Sequence, residues 1–171
     1  GCIMANTFVK IASVTLGSAA ASIDFTSIPG TYTDLLIKAS LRSAAASVNP
    51  GLLIKFNTSA LNFTGRNVYG DGSAAASYSD TSGEIGTLAG NSATANTFCN
   101  CEIYIPNYAG SNNKSFSVDS VNENNATSAS QYIYANLWSQ TAAITAISLL
   151  SGGAVNLMQY SSATLYGIKN S

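Results

Sequence analysis

Hydrophobic and polar residues alternate along most of this chain, the period-two pattern of strands that bury one face. The clearest run is Leu35-Leu36-Ile37-Lys38-Ala39-Ser40-Leu41-Arg42. Leu35, Ile37, Ala39 and Leu41 share one face, and Lys38, Ser40 and Arg42 take the other. Leu52, Ile54 and Phe56 repeat the pattern around Lys55. From Phe98 to Ile105, one face reads Cys99, Cys101, Ile103, Ile105 and the other Phe98, Asn100, Glu102, Tyr104. Phe116 and Val118 alternate with Ser117 and Asp119. Tyr132, Tyr134 and Trp138 alternate with Ile133, Ala135 and Leu137, so both faces of that run are apolar or aromatic. Such a strand is central, or it turns one face to a partner. Further strands are expected over Phe8–Leu16, Ser22–Ile28, Ile144–Leu150 and Ala163–Lys169. The count is about nine strands, with no amphipathic helix.

The connectors agree with this reading. Ile28-Pro29-Gly30 and Asn49-Pro50-Gly51 are turns, because Pro fixes φ and Gly accepts positive φ. Pro106 ends a strand run, since it cannot donate to a ladder. Ser151-Gly152-Gly153 separates the last two runs. Short strands with frequent turns and no crossover helices predict an all-β fold, an antiparallel β-sandwich of the jelly-roll kind. Residues 8–171 form one domain, and residues 1–7 read as an N-terminal arm or a cloning or processing remnant. Ser-Ala-Ala-Ala-Ser occurs at 18–22, 43–47 and 73–77. The unequal spacings rule out a solenoid repeat, so these read as small loop segments. The stretch 66–96 is rich in Gly, Ser and Thr with only Ile85 and Leu88 as anchors, and it reads as one long loop.

Composition removes most chemistry. The 171 residues include no His, which excludes Ser-His-Asp and Cys-His nucleophiles and His-ligated metal sites. Only 9% of residues are charged, against roughly 25% in an ordinary globular protein. A net charge of −1 with seven scattered cations gives no basic patch for nucleic acid. Lys10, Lys38, Lys55, Arg42 and Arg66 read as solvated or interface charges. No apolar run is long enough for a membrane helix. Cys2, Cys99 and Cys101 are an odd set, and Cys99 with Cys101 read as buried free thiols on one strand face. Neither a metal nor a cofactor is expected.

The second half of the chain resembles a family of tailed-bacteriophage virion structural proteins. One block is Cys101-Glu102-Ile103-Tyr104-Ile105-Pro106-Asn107-Tyr108, followed by Lys114-Ser115-Phe116-Ser117-Val118-Asp119-Ser120-Val121 and Glu123-Asn124-Asn125-Ala126-Thr127. A second is Leu137-Trp138-Ser139 with Ala143-Ile144-Thr145-Ala146-Ile147 and the ending Ala163-Thr164-Leu165-Tyr166-Gly167-Ile168. Together they span roughly 95–171, and the first half matches more loosely. Many family members carry a Gly-Ser pair after an aromatic before the last strand, where this chain has Leu157-Met158-Gln159-Tyr160-Ser161-Ser162. The resemblance implies a virion component, with capsid or other virion proteins as partners. It leaves the position in the particle, head or tail, open.

Three functional expectations follow. The first is a non-enzymatic capsid decoration or cement protein. It would form a homo-oligomer, a trimer or another oligomer fitting capsid symmetry positions. The stretch 66–96 and the arm from Cys2 to Phe8 would reach neighbours. Its candidate interface residues are Arg66, Tyr69, Asp71, Tyr78, Asp80 and Glu84, with Tyr132, Tyr134 and Trp138 as candidate assembly aromatics. The second is a tail- or head-fibre module that binds host surface carbohydrate through Tyr69 and Tyr78. The third is glycan cleavage by Asp71 with Asp80 or Glu84, against which solvated loop carboxylates are the simpler reading.

Overall fold

The structure, a computed structural model, describes residues 7–125 and 128–169. Cys2 and all but the last residue of the expected arm lie outside the described residues, as do Ala126 and Thr127. Twelve strands run in order: β1 (Phe8–Thr15), β2 (Ser22–Phe25), β3 (Asp34–Leu41), β4 (Gly51–Phe56), β5 (Phe63–Gly70), β6 (Ala75–Asp80), β7 (Glu84–Thr87), β8 (Cys99–Pro106), β9 (Lys114–Asn122), β10 (Ser130–Trp138), β11 (Ile147–Ser151) and β12 (Ser162–Ile168). A single 3-10 turn, Gly152–Ala154, precedes the last strand.

The strands form two sheets, one of eight in the order β1-β12-β3-β8-β9-β10-β5-β6 and one of four in the order β2-β11-β4-β7. Every pairing between the strands is antiparallel. Setting aside β5–β6 and β9–β10 leaves β1-β12-β3-β8 facing β2-β11-β4-β7, the two four-stranded sheets of a jelly roll. The hairpins β5–β6 and β9–β10 are insertions, and both extend the same sheet beyond β8. The eight-stranded sheet therefore overhangs the smaller one. The ends of the described chain meet: β1 pairs with β12, and Lys169 donates its amide to the Thr7 carbonyl at 3.0 Å.

The core lies between the inner faces. Leu35, Ile37 and Leu41 of β3 and Cys99, Cys101, Ile103 and Ile105 of β8 pack against Ile23, Ile54 and Leu149 of the smaller sheet. Phe56 stands among Phe63, Phe116 and Trp138 with ring centroids 5.4, 5.3 and 5.4 Å away, tilted or edge-on. Such aromatic pairs add about 0.5–1.5 kcal/mol each beyond burial. Cys99 and Cys101 are buried free thiols, as the alternation predicts.

Two expectations change. The stretch 66–96 is not one loop: it holds most of β5 and all of β6 and β7, and the strand count is twelve. Its third Ser-Ala-Ala-Ala-Ser segment ends in β6. Alternation hides these strands for different reasons. The inward positions of β5 are Phe63, Gly65, Asn67 and Tyr69, only partly apolar. Every residue of β6 up to Ser79 is exposed, so it has no buried face to mark. β7 is four residues long and its register breaks at Leu52/Leu53 of the partner strand, beside Gly86. The second correction is Arg42. The strand stops at Leu41, so the two-residue period no longer carries Arg42 outward, and it is buried.

Candidate functional site

The overhang gathers most of the predicted site residues. Tyr132 of β10 lies directly opposite Tyr69 of β5, and their rings stack at 4.9 Å. Tyr134, two residues along the same face, stacks on Tyr132 at 5.5 Å. Tyr78 of β6 meets Tyr69 edge-on at 6.0 Å, and its hydroxyl lies 2.9 Å from that of Tyr134. Both phenols donate to Oε1 of Glu84, from Tyr134 at 3.0 Å and from Tyr78 more closely. Glu84 belongs to β7, the strand of the smaller sheet nearest the overhang. Four tyrosines and a carboxylate thus tie the two sheets together where the smaller one ends.

This arrangement fixes the chemistry of the phenols. Burial, reinforced by the bond to Glu84, pushes the Tyr78 hydroxyl well above its ordinary ionisation range. Burial and the bond to Tyr78 do the same for Tyr134. Asn67, between Tyr134 and Tyr78 in the ladder, is buried, and its amide has no partner among the described residues. The hydroxyls of Tyr78 and Tyr134 are engaged within the chain, and the faces of Tyr69 and Tyr132 largely cover each other.

The remaining candidates separate. Tyr132, Tyr134 and Trp138 are buried, so they are not surface aromatics available to a neighbour. Trp138 sits with Phe56 in the core, apart from the tyrosines. Asp71 closes the β5–β6 turn by accepting the amides of Ser73 and Ala74, both at 2.8 Å. Those two amides hold its carboxyl below the ordinary range. Asp80, at the far end of β6, accepts the amides of Ser82 at 2.9 Å and Glu84 at 3.0 Å. Burial raises the Asp80 carboxyl, but the Ser82 hydroxyl and the turn amides outweigh it and hold it low. The strand β6 separates Asp71 from Glu84, and both aspartates serve their own turns. Asp71 and Asp80 each cap the turn beside them, and Glu84 accepts from two phenols. Arg66 points to the outer face, where its guanidinium bonds the Gly65 carbonyl at 2.8 Å.

That outer face is the second feature. On β10 it presents Ile133, Ala135 and Leu137, and Ile133 pairs with Val68 of β5. Ile133 is 56% and Val68 50% exposed. The first sequence alternative holds, since β10 is central, and its outer apolar face is open to solvent. Around these residues stand Ser77, Ser79, Ser115, Ser117 and Tyr104, with Asp119 directly opposite Ile133 and Arg66 opposite Ala135. The Lys38–Glu102 ion pair, 2.8 Å, crosses the exposed face from β3 to β8.

The third feature is the edge of β6. Each of the other three edges is shielded. β1 carries Lys10 and a bulge between Lys10 and Ala12. β2 is only four residues long, and very short edge strands resist pairing. β7 is short, bulged and packed over β9, with Gly86 against Ser120. β6 reads Ala75-Ala76-Ser77-Tyr78-Ser79-Asp80, with no Pro, Lys or bulge. An unblocked edge of this kind is a template for another strand.

Two buried cations escaped the sequence reading. Lys114 donates to the carbonyls of Gly110 at 2.6 Å, Asn112 at 2.8 Å and Thr141 at 3.1 Å, and lies over the Trp138 ring. Its position two residues before Phe116 was the available signal. Arg42 binds the carbonyls of Ala93, Thr94 and Thr97. Among the described residues no group of acidic or cysteine side chains could hold a metal ion. Among the described residues no helix is long and apolar enough to cross a membrane. Comparison with protein-family models, curated proteins and solved structures gave no match.

Proposed function

We propose that this chain is a non-enzymatic structural component of a tailed-phage virion. It acts as a capsid decoration or cement protein that packs on copies of itself and on the capsid protein. The observation that carries this reading is the open β6 edge, the unshielded one of the four sheet edges among the described residues. Strand addition there would extend an eight-stranded sheet through backbone hydrogen bonds, which need no particular side chains.

The sequence of β6 suits a second copy of the same chain. An antiparallel two-fold pairing centred on Ser77, or between Ser77 and Tyr78, sets Asp80 of each copy opposite Ala74 or Ala75 of the other. No like charges then face each other, and the contact is made by small residues. The outer face, with Ile133 and Val68 exposed between Asp119 and Arg66, supplies a second surface for packing. The sequence blocks that resemble virion proteins support the particle as the setting. A reconstruction of the particle is the test. The expected result is density for this chain following the shell lattice. Density confined to the tail would overturn the decoration role.

A further inference from the structure

Beyond β3, toward the β1 flank of the large sheet, Arg42, Asn91, Asn96, Phe98, Gln159 and Tyr160 wall a cleft of about 300 Å³. We propose that this cleft binds a sugar ring carrying a carboxylate. The inference is independent of the virion reading, because it uses neither the β6 edge nor the tyrosine cluster.

Arg42 is the anchor. It is only 5% exposed, yet every group it binds is neutral. Nη1 donates to the carbonyls of Thr94 and Thr97, each at 2.8 Å, and to the Thr97 hydroxyl at 3.1 Å. Nη2 donates to the Ala93 carbonyl at 3.2 Å. Among the described residues no carboxylate comes within ion-pair distance of it. A guanidinium offers five N–H donors, and these bonds leave Nε–H and one Nη2 proton unused. A buried cation without a counter-ion favours an anion at its free donors.

Tyr160 supplies the ring face. It sits in a turn closed by the Ser161 amide on the Met158 carbonyl at 3.1 Å, with φ at 70°. That left-handed conformation disfavours a residue with a Cβ, and Gly or Asn ordinarily takes it. The Tyr160 side chain is 68% exposed, so burial does not offset the strain. A strained, exposed aromatic beside a cleft is the pattern of a ligand contact. Phe98, half-buried, lines the same cleft.

The rim selects hydroxyls. The side-chain amides of Asn91 and Asn96 make no hydrogen bond among the described residues, and both are exposed. Gln159 Nε2 is tied to the Gly17 carbonyl at 2.8 Å, which leaves its Oε1 to accept. Carboxamides donate and accept at once, as sugar hydroxyls do. The free Nε–H and Nη2–H donors would suit a phosphate as well as a carboxylate, so it is the neutral carboxamide rim that favours a hydroxyl-bearing ring.

The test titrates the full chain with tetragalacturonate and with the neutral galactose tetramer, followed by NMR shifts or calorimetry at low salt. Saturable binding of the acid, at least tenfold tighter than the neutral tetramer, is expected. Arg42→Gln could loosen the 93–97 segment, so the deciding variant is Tyr160→Gly. It relieves the left-handed strain and should keep or raise Tm, while weakening acid binding at least tenfold. Four outcomes would overturn the proposal: no binding of the acid, equal binding of both tetramers, wild-type binding by Tyr160→Gly, or displacement by equimolar inorganic phosphate. Localisation in the particle is read separately, so failure of one proposal leaves the other standing.

Discussion

Lys114 shows how a sparsely charged chain uses the charges it has. Its ammonium joins the segment after β8 to the segment after β10 through carbonyls alone, and burial holds its pKa below the ordinary value. Lys114→Ala should cost about 2 kcal/mol or more in denaturant unfolding, because the carbonyls lose their donor. The tyrosines act in the opposite sense with pH. Tyr78 and Tyr134 are raised above an ordinary value of 10.0, so the fold favours their neutral forms. Their contribution is fully present below pH 10 and is lost as pH rises, since the unfolded chain releases its phenol protons first. Lys114 gains stability over the same interval, so the tyrosine share is isolated by comparison with Tyr78→Phe. Thermal unfolding from pH 8 to 11 should show a flatter alkaline decline in that variant. Burial also pushes the Cys99 thiol up to about 12 and Cys101 higher than its ordinary value. Mass spectrometry after iodoacetamide should find both unmodified until denaturant opens the core.

At the scale of elements, period-two alternation located nine of the twelve strands because each has one face on the core. Leu35, Ile37, Ala39 and Leu41 of β3 are all buried, as are Cys99, Cys101, Ile103 and Ile105 of β8. The same rule is blind to a strand exposed on both faces, which is why β6 and its open edge were not legible. The tyrosines of the site were legible as residues but not as a cluster, since Tyr69 and Tyr132 meet only through a pairing 63 residues apart in sequence. Parity also misplaced Arg42, because it assumes the strand continues. The edge makes a direct prediction. Ser77→Lys puts an ammonium in the middle of β6 on its outer face, and should shift the protein to a smaller oligomer by light scattering without lowering Tm. Between the sheets, Gly86 has φ 143° and a Cβ there would stand 2.1 Å from Ser120 Oγ. Gly86→Ala should therefore cost about 1–3 kcal/mol by overpacking, read as a lower denaturation midpoint.

The whole molecule is a jelly roll with one sheet doubled in width. The two inserted hairpins leave an unblocked edge at β6, while the jelly-roll part keeps its own edges shielded. Net charge is −1 over 171 residues, so little long-range repulsion keeps copies apart. Solubility should pass through a minimum near the pI of about 5.1, measured as light scattering across pH 4 to 8. The junction of Thr7 with Lys169 bears on how such a molecule carries load. Both ends leave from the same end of the β1–β12 pair, so a pull on them opens that ladder one hydrogen bond at a time, like a zip. A pull directed across the sheet, from β1 toward β6, passes through the seven ladders in series, and within each ladder the hydrogen bonds bear the load together. The β1–β12 ladder therefore yields bond by bond when the molecule is held by its ends, and only as a whole ladder when it is pulled edge to edge.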